Sequence, residues 1–169
     1  LGGALEAQGV NLHFADFKCS GLQYQNVPDV VGLSTIVQGR KVLRLVGELK
    51  VPWVPQHSLR DAYDKPQRLR HILGQPLLYR GELGSAFGFL STYNQTIFLR
   101  QIQLPSGNWH VEYSPVIYSS DAYVPSHTQG NSTVSSVSMR QCMFYVATIA
   151  SVQGPVHNQT PPAQWVVQS

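Results

Sequence analysis

Val27-Pro-Asp-Val-Val-Gly-Leu-Ser-Thr35 and Lys41-Val-Leu-Arg-Leu-Val-Gly-Glu-Leu-Lys-Val51, with Gln38 and Gly39 between them, decide how the chain is read. The first segment is apolar and rich in β-branched residues apart from Asp29, which predicts a strand. The second alternates, with Leu43, Leu45, Leu49 and Val51 on one face and Arg44, Val46, Glu48 and Lys50 on the other. Gln38-Gly39 suits a two-residue hairpin turn, so Val37 pairs with Arg40. In that register Asp29 falls opposite Glu48 on the same side of the sheet, with Cβ atoms about 4.5–5.5 Å apart. Lys50 points to the same face one step further along.

Two carboxylates placed face to face repel each other. A divalent cation resolves the conflict, because hard oxygen ligands from two strands can grip one Mg²⁺ or Mn²⁺ while water fills the remaining positions. An ammonium beside them can orient an attacking water or stabilise charge building on a phosphoryl group. The plainer alternative is an Asp29–Lys50–Glu48 salt cluster on a solvated sheet face.

Around this core the pattern predicts an α/β layered domain. Residues 1–20 suit at most a short helix between Leu5 and Phe17. Val51-Pro-Trp-Val-Pro55 ends the sheet run, and Ser58 is a candidate cap for a helix from Leu59. Pro66 suits a first helical turn, followed by Leu69, Ile72, Leu73, Leu77 and Leu78 at near-helical spacing. Pro76 is expected to kink or restart that helix, and Gly81 and Gly84 mark its end. Residues 86–103 read as a hairpin, 109–118 as a further strand and 119–131 as a polar loop. A last helix is expected from Ser132 or Thr133 to about Val152, apolar nearly all round and well buried. This makes residues 1–153 a single domain, with 154–169 as a loose tail or linker.

Composition narrows the function classes. Of 169 residues, 12% are charged and 43% hydrophobic, which excludes disorder over most of the length. Cys19 and Cys142 alone exclude a disulfide-dense scaffold or a cysteine zinc cluster. The six histidines have no i, i+4 pair, and no Gly-x-Ser-x-Gly elbow or phosphate loop occurs. No apolar run is long enough to span a membrane. A net charge of +3 permits a polyanionic partner. Arg60, Lys65, Arg68, Arg70 and Arg80 crowd into one stretch, read either as a solvated helix face or as a phosphate-facing one. Trp53 and Trp109 read as packing residues that could instead stack bases, and Tyr93 as an exposed hairpin-tip aromatic. A chain opening on Leu1 reads as a piece of a longer protein.

Pro28-Asp29, followed after eighteen residues by Glu48-Leu49-Lys50, resembles the PD-(D/E)XK signature of restriction-endonuclease-like nucleases. Gln75-Pro-Leu-Leu-Tyr79 on the following helix resembles the Gln-x-x-x-Tyr element of the RecB-like branch, and its i, i+4 spacing sets both side chains on one face. Phe87 to Arg100 is also similar to a hairpin of domains found beside kinase-like domains in fungal Crinkler-like and spore-killer proteins. The resemblance covers roughly residues 22–103 and, more loosely, the final helix. It implies a mixed central sheet flanked by helices and a Mg²⁺- or Mn²⁺-dependent deoxyribonuclease acting inside the cell, in nucleus or cytoplasm. Asp29, Glu48 and the Leu49 carbonyl would hold the metal, Lys50 would serve the nucleophile, and Gln75 and Tyr79 would position water or strand. Arg60, Lys65, Arg68, Arg70 and Arg100 are the candidate phosphate contacts, with DNA as the expected partner and RNA left open. The alternative is a catalytically inactive module of the same fold that binds or regulates within a kinase-containing chain.

Overall fold

The structure, a computed structural model, describes residues 2–20, 27–129 and 132–160. Helix α1 (Gly2–Ala7) precedes strands β1 (His13–Asp16), β2 (Val30–Thr35) and β3 (Lys41–Leu49). Helices α2 (Leu59–Tyr63) and α3 (Pro66–Leu83) then lead to β4 (Phe87–Ser91), β5 (Gln95–Gln103), β6 (Trp109–Tyr113) and β7 (Ile117–Tyr118). A separate ladder of β8 (Val124–Gln129) and β9 (Ser132–Ser136) comes before helix α4 (Met139–Val152). The main sheet runs β1-β2-β3-β4-β5-β6, with β7 also on β5. Every pairing is antiparallel except β3 with β4. Parallel neighbours need a long crossover, and α2 with α3 provides it. The domain is therefore mixed α/β, with a mostly antiparallel central sheet and helices on both faces.

Each sheet face buries its own apolar set. Leu59, Leu69, Leu73 and Leu77 of the crossover pack on Leu90, Ile97 and Leu99, and Tyr79 packs with Phe17, Val31 and Val46. The opposite face joins Leu45, Phe87, Phe89 and Phe98 to Val146, Ala147 and Ala150 of α4 and to Leu5 and Leu12. Gly47 is required where the parallel strands meet, because a Cβ there would lie 2.2 Å from the Phe89 ring.

The β2–β3 register reaches its expected value by an unexpected route. The turn is a three-residue loop, Val37–Gly39, with Gln38 and Gly39 both at positive φ (67° and 75°). Thr35 consequently pairs with Lys41, one residue off the two-residue-turn register. Further on, Leu33 pairs with Leu43 but Gly32 with Leu45, so Arg44 is an extra, bulged residue. The bulge restores the shift, and Val30 faces Gly47. It also turns β3 over, so Leu43 joins the Val46 side instead of the Leu45 side. Ser85 Oγ donates to the Arg44 carbonyl (2.9 Å), and the Arg44 guanidinium donates to the Gln153 carbonyl at the end of α4.

Several elements differ from the sequence expectation. Residues 13–16 are a strand, and the N-terminal helix stops at Ala7. Pro76 does not break α3, which runs unbroken because Ile72, Leu73 and Leu77 are all buried around it. Ser132–Ser136, rich in Ser, Thr and Val, pairs as a strand, and α4 starts later under a Ser138/Gln141 capping box. Helix α4 buries Val146, Ala147 and Ala150 and leaves Tyr145 and Val152 exposed, so it is one-sided. The stretch beginning at Gly154 is pinned by Val156 N to the Gly84 carbonyl (2.8 Å) and by Asn158 Nδ2 to Gln101 Oε1 (3.0 Å). The expected tail beyond residue 160 lies outside the described residues. Among the described residues, no helix is long and apolar enough to cross a membrane.

Arg80 is not on a solvated face. It is 1% exposed, its stem lies over Gly88, and among the described residues none of its three guanidinium nitrogens has a hydrogen-bond partner. Burial pulls its pKa down to about 9. An unpaired buried charge is a net cost that an apolar side chain of similar length removes. Arg80→Met is expected to raise the unfolding free energy by about 1–4 kcal/mol in chemical denaturation. Gly47→Ala is expected to lower it by about 1–3 kcal/mol through overpacking, with partial recovery in the Gly47→Ala/Phe89→Val double variant.

Candidate active site

The restored register brings the sequence-marked groups together at one end of the central strands, where the parallel β3 and β4 stop. Asp29 stands just ahead of β2 and faces Glu48 in continuation of the Val30–Gly47 pair. Its Oδ2 accepts the Leu49 backbone N–H at 2.8 Å. In an extended strand the N–H and C=O of one residue point the same way, so the Leu49 carbonyl opens towards Asp29. The next residue points oppositely, and Lys50 N donates to the Ser91 carbonyl of β4 at 2.8 Å.

Side chains on the α3 side complete the cluster. Glu48 is 5% exposed, and its Oε1 accepts from Lys50 Nζ at 2.7 Å. Lys50 Nζ also donates to Gln75 Oε1, and Gln75 Nε2 donates to the Tyr79 hydroxyl at 3.5 Å. A chain of Glu48, Lys50, Gln75 and Tyr79 therefore runs from β3 up to α3. The i, i+4 pair faces the sheet as its spacing predicts, and Pro76 does not turn Gln75 away because the helix does not kink.

The electrostatics leave one demand unmet. Glu48 Oε2 is buried and has no donor among the described residues. Burial raises the Glu48 pKa, Lys50 pulls it back down, and Asp29 raises it again by charge and by hydrogen bonding to the protonated form. Burial and the charges of Glu48 and Asp29 also raise the Tyr79 pKa, so its phenol keeps its proton. Two carboxylate oxygens thus adjoin, an arrangement that either a shared proton or a cation satisfies. The donors on offer are carboxylate and carbonyl oxygens, which suit a hard divalent ion and fit Mg²⁺ or Mn²⁺. Among the described residues no group of three or more His, Cys, Asp or Glu side chains is placed to hold a metal, so main-chain oxygen and water would complete the shell. Of the alternative salt cluster, the Lys50–Glu48 ion pair forms, and among the described residues Asp29 makes no ion pair with Lys50.

The cationic candidates are less convergent. Arg60, Lys65 and Arg70 are exposed along α2 and α3. Arg68 lies two turns from Gln75 on the same helix face but spends its Nη2 on the Pro55 carbonyl (2.7 Å), closing the loop before α2. Arg100 pairs with Glu112 (2.7 Å) on the α4 face, at the opposite end of β4 from Glu48, and is not brought to the carboxylates. Trp53 is 77% exposed, so it does not pack, while Trp109 is half-buried. Sequence reasoning missed Asp16 and Lys18, which line a cleft beside Asp29. Their signal was hidden because residues 1–20 show no clear period: β1 carries Asp16, and the short 3-10 turn that follows it, Phe17–Cys19, carries Lys18. Comparison with protein-family models, curated proteins and solved structures gives no match to this chain.

The raised Glu48 pKa has a definite sign. A carboxyl whose folded pKa exceeds its unfolded value near 4.5 supports the fold at low pH and loses that support as pH rises through the folded value. In metal-free protein, Glu48→Gln should be more stable than wild type at pH 7, with the advantage vanishing as pH falls towards 4.5. Denaturant midpoints measured across that range check this.

Proposed function

We propose that this domain is a restriction-endonuclease-like, metal-dependent nuclease that hydrolyses phosphodiester bonds in DNA. The single observation supporting this reading most strongly is the buried, donorless Glu48 Oε2 beside Asp29, with Lys50 standing next to both the acid and Gln75. Asp29, Glu48 and the Leu49 carbonyl would hold Mg²⁺ or Mn²⁺. When bound, such an ion supplies a lowered water pKa and charge stabilisation at the reacting phosphorus.

The residues of the chain divide the remaining work. Lys50 is held by two acceptors on one side, so its third proton is free to orient water or steady a phosphoryl oxygen. Gln75 fixes that ammonium against the sheet. Tyr79 accepts from Gln75 and keeps its own O–H, a neutral donor beside the carboxylates. The α3 helix covers this cluster, which strengthens each of these interactions by excluding water.

Cleavage of plasmid and of single-stranded DNA in Mg²⁺ or Mn²⁺ tests the reading. Asp29→Ala, Glu48→Ala and Lys50→Ala should each lower the rate by at least about 100-fold. Calorimetric Mn²⁺ heat should disappear in Asp29→Ala and persist in Lys50→Ala, separating ion holding from chemistry. Wild type that neither cleaves nor takes up Mn²⁺ overturns the proposal, and uptake without cleavage identifies a non-catalytic module.

A further inference from the structure

A cleft of about 490 Å³ adjoins the carboxylates, lined by Asp16, Lys18, Pro28, Asp29, Leu49 and Tyr93. It shares Asp29 and Leu49 with the site just described, and four separate parts of the chain build it. Its size lies within the about 300–1,000 Å³ of small-ligand clefts, room for an unpaired nucleotide.

Tyr93 is the unusual wall. It sits at the tip of the β4–β5 hairpin, is 65% exposed, and holds φ at 67°, a conformation that L-residues other than Asn, Asp and Gly rarely adopt. A turn that needs this conformation is better served by Gly or Asn, so a large ring there is costly for the fold. The turn nevertheless fixes the Tyr93 backbone. Thr92 N donates to the Gln95 carbonyl (2.8 Å), Tyr93 N to Ser91 Oγ (3.3 Å), and Ser91 Oγ bonds Thr96 Oγ1 (2.9 Å). The Ser91 carbonyl is the one that takes Lys50 N, so the tip is tied directly to the strand carrying Glu48 and Lys50. On the lining of the same cleft, Lys18 is exposed and its ammonium makes no hydrogen bond or ion pair among the described residues.

The geometry points to a stacking subsite: Tyr93 receives the base of an unpaired nucleotide next to the scissile phosphate, and Lys18 contacts the adjoining phosphate. The substrate is therefore a single strand or a frayed end, not continuous duplex. This assignment rests on the nuclease reading and deepens it. Aromatic stacking is available only to a base that has left its pair, and it does not discriminate among the bases.

Anisotropy with a labelled single-stranded oligonucleotide and with the matched duplex, in EDTA so that no cleavage intervenes, tests it. Wild type should bind the single strand more tightly. Tyr93→Ala should lose about tenfold in single-strand affinity, Tyr93→Phe should stay within about twofold because the ring is kept, and duplex affinity should be unchanged in both. Lys18→Ala should reduce the slope of log affinity against log salt by about one. Tyr93→Asn should raise Tm while losing single-strand affinity. No binding of single strand by wild type, equal losses on both substrates, or a Tyr93→Asn protein of lower Tm would each overturn the inference. Cleavage measured in parallel with Mn²⁺ separates the two ideas. Cleavage with Tyr93-independent binding sinks only the subsite, and Tyr93-dependent binding without cleavage sinks only the nuclease.

Discussion

One inserted residue, Arg44, governs which side of β3 meets which helix. Side chains alternate along a strand, so a shift of one position exchanges the two faces entirely. Without the bulge, the pairing set by the three-residue turn would run on unchanged. Asp29 would then face Gly47, and Glu48 and Lys50 would point into the apolar layer beneath α4. With it, the acids and the amine point towards α3 and the glycine points towards Phe89. The bulge is itself held from two directions, by Ser85 on its carbonyl and by Gln153 on its guanidinium. Elements distant in sequence thus secure the one irregularity on which the cluster depends.

Burial then turns this placement into chemistry. Each member of the row from Glu48 through Lys50 and Gln75 to Tyr79 is satisfied by the next, and the single oxygen left over lies beside a second carboxylate. A polar row under a helix is worthwhile only when every partner is present. Here the row is complete except at one point, the Glu48 oxygen beside Asp29, and that is where the proposed nuclease would hold its ion. The fully buried Arg80 differs, since its guanidinium has no hydrogen-bond partner among the described residues. Its burden is structural.

Much of the cluster was legible because it depends on short-range rules. Alternation set Glu48 and Lys50 on one face, and helical spacing joined Gln75 to Tyr79. The opposition of Asp29 and Glu48 was legible in a more instructive way. A turn one residue too long and a bulge one residue wide are both invisible in a single sequence, and their offsets cancel before the acids are reached. What stayed hidden depended on tertiary context. The strand His13–Asp16 is too short to show a period, and Ser132–Ser136 resembles a cap as much as a strand. A charged residue on a helix carries no mark of whether it is covered, so Arg80 read as surface and Arg68 as a free cation. Trp53 erred in the other direction, since a proline-bracketed loop can hold an indole in solvent.

The order in which the two sheet faces are covered carries a consequence for biogenesis. Everything that builds the cluster, from Asp29 to Ser91, leaves the ribosome well before α4 does. Until residues 139–152 emerge, Leu45, Phe87, Phe89 and Phe98 lack the Val146–Ala150 cover that buries them in the finished domain. Up to that point only the N-terminal Leu5 and Leu12 are available to cover that face, and apolar surface left open during synthesis is the kind that chaperones shelter.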